Sequence, residues 1–93
     1  MRTLTLHRRA FADAAQVHAH LARELAFPAY YGANFAALAD CLGDVCEPLR
    51  LVVYRDGGGD ERYEAWFDKL CEVLARCALA NENLELRLQD ERA

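Results

Sequence analysis

Polar and apolar residues alternate from Thr3 to His7, with leucines at 4 and 6, and predict a strand with one buried face. Val17, Leu21 and Leu25 then recur every four residues, as along one side of a helix. Asp13 and Gln16 stand as a capping box at its start, and Phe27-Pro28 stops it. Asn34 is a good N-cap for a second, short helix that turns Phe35, Leu38 and Leu42 inward and leaves Ala36, Ala39, Asp40 and Asp44 facing largely outward. After Glu47-Pro48, the nearly continuous apolar run Leu49 to Tyr54 reads as a strand covered on both faces at the centre of a parallel sheet. Asp60 caps a long helix in which Tyr63, Trp66, Phe67, Leu70, Val73, Leu74 and Cys77 keep helical spacing, with Trp66 read as core rather than a ligand platform. Asn81 and Asn83 suit the helix exit. Leu84, Leu86 and Leu88 alternate with Glu85, Arg87 and Gln89 as a final half-buried strand, beyond which the last residues should fray.

Strand, helix, short helix, strand, long helix, strand is an α/β order. Each crossover contains a helix, so the strands form a small parallel sheet with right-handed connections. A chain of 93 residues makes one domain, 1–93, that buries about 60–68% of its unfolded surface without metal or disulfide staples.

Charge narrows the partner. A net charge of −4, from 15 acids against 11 bases, argues against a phosphate-binding surface and suits a basic partner; nucleic acid is not expected as a direct ligand. The triple glycine after Asp56 is read as a flexible turn: it lacks the spacing and the Lys-Ser/Thr end of a P-loop, and Asp56, Asp60 and Glu61 flank it. No run is long enough to cross a bilayer, and Met1 to Leu6 has no apolar core or cleavage pattern, so a cytoplasmic protein that does not engage membranes is expected. In that reducing setting Cys41, Cys46, Cys71 and Cys77 read as buried thiols that act as small hydrophobes; Cys46, if exposed, would give air-formed dimers that reductant reverses. They show neither CxxC nor Cys/His metal spacing, and no cofactor or metal is expected. Cys41 beside Asp40, and the histidines His18 and His20, lack a catalytic arrangement, so the chain is not read as an enzyme; both histidines, like His7, read as packing or surface residues.

Asp40 and Asp44 are four residues apart near the end of the short helix, where negative charge opposes the helix dipole by about 0.3–1 kcal/mol each and like charges repel. A sequence selected for folding alone would not choose that, yet this helix taken by itself reads as a solvated polar face. The whole stretch from Phe27 to Leu42, with Pro28, Tyr30-Tyr31-Gly32, Asn34, Leu38 and Asp40-Cys41-Leu42, resembles the signature of the barstar family of bacterial ribonuclease inhibitors. The resemblance covers nearly the whole chain and implies three parallel strands in sequential order and an intracellular inhibitor, monomeric when free, that blocks a basic nuclease active site.

By that resemblance Asp40 matches the central acid of the inhibitory helix and Tyr30 an aromatic that packs onto the enzyme's active-site histidine. Tyr31, Gly32 and Asn34 match the loop and cap that aim them. It further implies a cis proline before the central strand, matched by Glu47-Pro48. Three positions depart from the pattern: Ala36 stands at a second acid, Ala39 at a tryptophan and Arg76 at a further acid. A basic target would repel Arg76, which Glu72 could pair with and hold aside, while Asp44 and Glu47 restore negative potential near Asp40. The alternative reading is a module of the same fold whose partner is a non-barnase toxin, or which has lost nuclease binding.

Overall fold

The leucine rows line up across three parallel strands. The computed structural model describes residues 1–57 and 60–90. It places β1 (Arg2–His7), α1 (Ala14–Glu24), α2 (Phe35–Gly43), β2 (Leu49–Tyr54), α3 (Glu61–Ala80) and β3 (Leu84–Gln89) in chain order, with a short 3-10 turn at Arg8–Ala10 after the first strand. The strand order is β1-β2-β3 and both pairings are parallel. The expected α/β fold with a sequential three-stranded parallel sheet is what forms. Gly58 and Gly59 of the expected flexible turn, and residues 91–93 of the expected frayed end, lie outside the described residues.

The register sorts the strand residues by face. Leu4 pairs with Leu51 and Leu51 with Leu86, while Leu49 pairs with Leu84 and Leu6 with Val53; these rows join Val17, Leu21, Leu38, Leu42, Phe67, Leu70 and Leu74 in one core. The alternate rows, Thr3-Arg50-Glu85 and Thr5-Val52-Arg87, lie on the other face, where Arg50 and Glu85 form an ion pair. That face is uncovered, which corrects the expectation that β2 is covered on both sides: Arg50, Val52 and Tyr54 are only half-buried. Two right-handed crossovers that step in the same direction across a sheet deliver every helix to one side. Continuous hydrophobicity in β2 therefore does not report two covered faces.

Capping fixes where each helix begins. Asp13 accepts from Gln16 N–H at 3.0 Å, and the Gln16 side chain reaches back to Ala12 N–H at 2.8 Å. Asn34 accepts from Ala37 N–H and Asp60 from Tyr63 N–H, each at 2.8 Å. At the end of α1, Phe27 N–H bonds Ala22 C=O at 2.9 Å with Ala26 left-handed at φ 54°, a Schellman closure made with alanine where glycine is usual.

Two expectations about bonds and thiols change. The Glu47-Pro48 bond is trans, and no peptide bond among the described residues is cis. The trans form is the lower one for X-Pro bonds, and with it Pro48 C=O accepts from Arg2 N–H at 3.4 Å at the entry to β2. All four cysteines are free, but only Cys71 is buried; Cys41 on α2 and Cys77 on α3 are half-buried, and Cys46, in the connection between α2 and β2, is exposed.

Candidate partner-binding site

The loop from α1 to α2 is built so that its two tyrosines part company. Tyr31 N–H bonds Pro28 C=O at 2.9 Å, closing a turn with Tyr30 at its third position. Tyr31 then folds inward: its hydroxyl lies 2.5 Å from His18 Nδ1, and its ring packs on Phe27 at 4.9 Å and His18 at 5.6 Å. Behind it His18 meets Trp66 edge-on at 5.4 Å, and Trp66 stacks on Phe35 at 5.5 Å. Burial pushes the Tyr31 hydroxyl up to about 12, with Cys41 adding to it, and lowers the His18 pKa below its ordinary value. Neutral phenol and neutral imidazole thus hold the loop against α1. Tyr30, with no such anchor, is 88% exposed.

Gly32 and Ala33 complete the approach to α2. A Cβ at Gly32 would come within 3.1 Å of the Asn34 side chain, so glycine leaves the N-cap room to reach Ala37 N–H. Ala33 takes the left-handed conformation, at φ 51°.

Leu38 and Leu42 are fully buried on α2 and Phe35 half-buried, as the spacing predicts; Ala36, Asp40 and Asp44 are exposed and Ala39 half-buried. Asp44 is the C-cap, and the last turn of α2 contains no basic residue. Asp40, Asp44 and Glu47 form no ion pair among the described residues. Their potential is felt locally: burial, then Asp44 and Asp40, raise the pKa of the Cys41 thiol. Tyr30, Asp40, Asp44 and Glu47 all border one groove of about 590 Å³ between the loop and the end of α2. Arg2 borders it too, but its guanidinium donates to the Glu24 carbonyl at the end of α1. The groove is therefore an acidic surface with one exposed aromatic ring, suited to a cationic partner.

A family model described as Barstar (barnase inhibitor) matches residues 1–91. The chain belongs to the barstar family. No curated protein sequence matches it. Among the described residues no helix is long and apolar enough to cross a membrane, and no group of three or more His, Cys, Asp or Glu side chains is placed to hold a metal ion.

Within this barstar-family domain the expected site residues fall into three places. Tyr30, Asp40 and Asp44 share the acidic groove, and Tyr31, Gly32 and Asn34 hold its loop wall. Ala39 and Arg76 border a second hollow on the other flank of α2. Ala36 is exposed near the start of α2 and borders neither. Arg76 makes no ion pair with Glu72 or with any other described residue, so the expected restraint at i−4 is not formed. The helical stagger that brings i and i+4 side chains near is weak in water, and nothing buries this pair.

Two supporting residues carry more than their sequence reading gave them. His18, read as a packing or surface residue, is buried, in keeping with its place three before Leu21 and seven before Leu25, but its bond to Tyr31 joins segments that no local pattern relates. Asn81 donates from Nδ2 to the Leu42 carbonyl at 3.0 Å and the Val45 carbonyl at 2.9 Å, so the exit of α3 braces the end of α2. Any asparagine near a helix end has the same local signature.

Proposed function

We propose that this chain is an intracellular protein inhibitor of a basic ribonuclease or a related toxin domain, monomeric when free. The observation that carries the reading is the pairing of a fully presented Tyr30 ring with an exposed Asp40 carboxylate, without an ion pair among the described residues, along one groove on a chain of the barstar family. A ribonuclease concentrates cationic side chains where it holds phosphate. A carboxylate on a braced helix enters that place with little loss of conformational freedom and forms charge-assisted hydrogen bonds there. Asp40 supplies this charge, Asp44 and Glu47 extend the field, and Tyr30 buries an aromatic face against the enzyme. The groove acts by occupying the enzyme's site, and the inhibitor itself performs no chemistry.

The test is calorimetric titration of the reduced protein against a barnase-type ribonuclease, with RNA cleavage assayed in parallel. Stoichiometric inhibition that Asp40→Ala removes supports the reading; tight binding unaffected by Asp40→Ala refutes it. A second reading is favoured by Ala36, Ala39 and Arg76, which replace two acids and a tryptophan of the family's pattern. On that reading the domain is an immunity or interaction module for a toxin other than barnase, and it meets barnase-type enzymes weakly.

A further inference from the structure

The hollow on the second flank of α2 is bordered by one base, Arg76, and one acid, Glu82, whereas the groove sets Asp40, Asp44 and Glu47 against Arg2 alone. The hollow measures about 700 Å³ and is bordered by Ala39 and Gly43 of α2, by Arg76, Cys77 and Leu79 of α3, and by Glu82. The groove and the hollow flank the same nine-residue helix, so a protein whose contact spans α2 from Asp40 reaches the hollow at Ala39. A Cβ placed on Gly43 meets nothing within 4 Å, leaving this wall open to an incoming side chain. The floor is held in place by the Asn81 bonds to the Leu42 and Val45 carbonyls, and Asn83 adds a third at 3.3 Å to Val45. On the rim Leu79 is 90% exposed, and Arg76 is exposed and without an ion pair among the described residues.

We propose that the partner enzyme presents a carboxylate and an adjoining apolar side chain here, the carboxylate pairing with Arg76 and the apolar group covering Leu79 and entering between Ala39 and Gly43. This rests on the inhibitor reading and names what distinguishes the partner. Covering a guanidinium with an aliphatic or basic surface strips its water without replacing those hydrogen bonds, whereas a carboxylate binds its planar fork in two places. The surface then reads two signs at once: acids on one flank accept the cationic active site, and Arg76 on the other rejects enzymes whose rim is basic at that point.

The experiment displays a barnase-type ribonuclease, randomised at surface positions around its active-site mouth, and selects binders on the wild-type chain and on Arg76→Glu. The expected result is Asp or Glu at one rim position on the wild type and Lys or Arg at the same position on Arg76→Glu. Each winner should lose about tenfold or more in affinity on the opposite chain. Leu79→Ala should weaken the wild-type winners, and Arg87→Glu, the same charge change on the open sheet face, should leave the selection unchanged. Identical winners on both chains, or an equal shift with Arg87→Glu, overturn the role of Arg76; the inhibitor reading survives if those winners still need Asp40. Winners indifferent to Asp40→Ala overturn the inhibitor reading and this inference together; failure to select any binder overturns this inference and leaves the toxin reading in place.

Discussion

The Tyr31 hydroxyl and His18 Nδ1 lie 2.5 Å apart, and this contact divides the labour of the tyrosine pair: one ring is spent inside to hold the loop, which leaves the other to face the partner. Tyr31→Phe removes the hydroxyl and strands a polar atom of a buried histidine. It should cost about 1–3 kcal/mol in urea denaturation. Tyr31→Phe should also weaken partner binding less than Tyr30→Ala, since the exposed ring is the one that docks.

The burial of the same histidine gives the fold a pH dependence. Burial holds the His18 pKa below its ordinary value of 6.5, so the folded state favours neutral imidazole. Its contribution is complete above pH 6.5 and is lost as pH falls through the lower folded value. The difference in unfolding free energy between wild type and His18→Gln, measured from pH 8 downward, should narrow below about pH 6.5. A constant difference would show that His18 does not titrate with folding.

A second clasp acts at lower pH. Asp56 is 2% exposed, accepting from Arg9 N–H and pairing with His7 Nδ1, both at 3.2 Å. Burial by itself would raise its pKa, but the bonds from Arg9 and His7 and the Arg9 guanidinium outweigh it, and the carboxyl lies below its ordinary value of 3.8. Its stabilisation is complete above that value and is lost as acid titrates the folded carboxylate. Asp56→Ala should cost about 1–3 kcal/mol near neutrality and flatten the acid limb of the stability profile.

The acids of α2 should trade stability for binding. Asp44 sits at the helix C-terminus without a compensating base, so Asp44→Asn should stabilise the free protein by about 0.3–1 kcal/mol while weakening binding to a basic nuclease. Asp40→Ala should weaken binding by at least about 2 kcal/mol, far more than Glu85→Ala on the open sheet face. Thermal unfolding and calorimetric titration of the same variants separate the two effects.

Ala26 and Ala33, at φ 54° and 51°, occupy backbone positions that suit glycine. Ala26→Gly and Ala33→Gly should each stabilise the fold by about 1 kcal/mol, less the extra freedom glycine gains when unfolded. Gly32→Ala should instead crowd the Asn34 cap and destabilise it. An increase in urea midpoint for the first two, with unchanged m-value, is the expected readout.

Much of this protein was determined by its sequence alone. Periodicity in Val17-Leu21-Leu25, Leu38-Leu42 and Phe67-Leu70-Leu74 placed three helices, caps at Asp13, Asn34 and Asp60 fixed their starts, and the leucine rows placed three strands. All of these act over a few residues, within reach of local physics. The acids at positions 40 and 44 were likewise legible as a cost to folding, but by themselves they read as a solvated polar face, and only the resemblance across Phe27 to Leu42 gave them another reason.

Tertiary structure decided what joins distant segments. Only packing brings His18 beneath Tyr31, Asn81 onto the end of α2 and Asp56 between His7 and Arg9, because each bond needs two elements already docked. Only the path of the crossovers left one face of β2 open, since apolar composition reports a preference for burial and not which neighbour supplies it. Even the parting of Tyr30 from Tyr31, two identical residues in sequence, came from the turn that sends one ring toward the core and the other toward a partner.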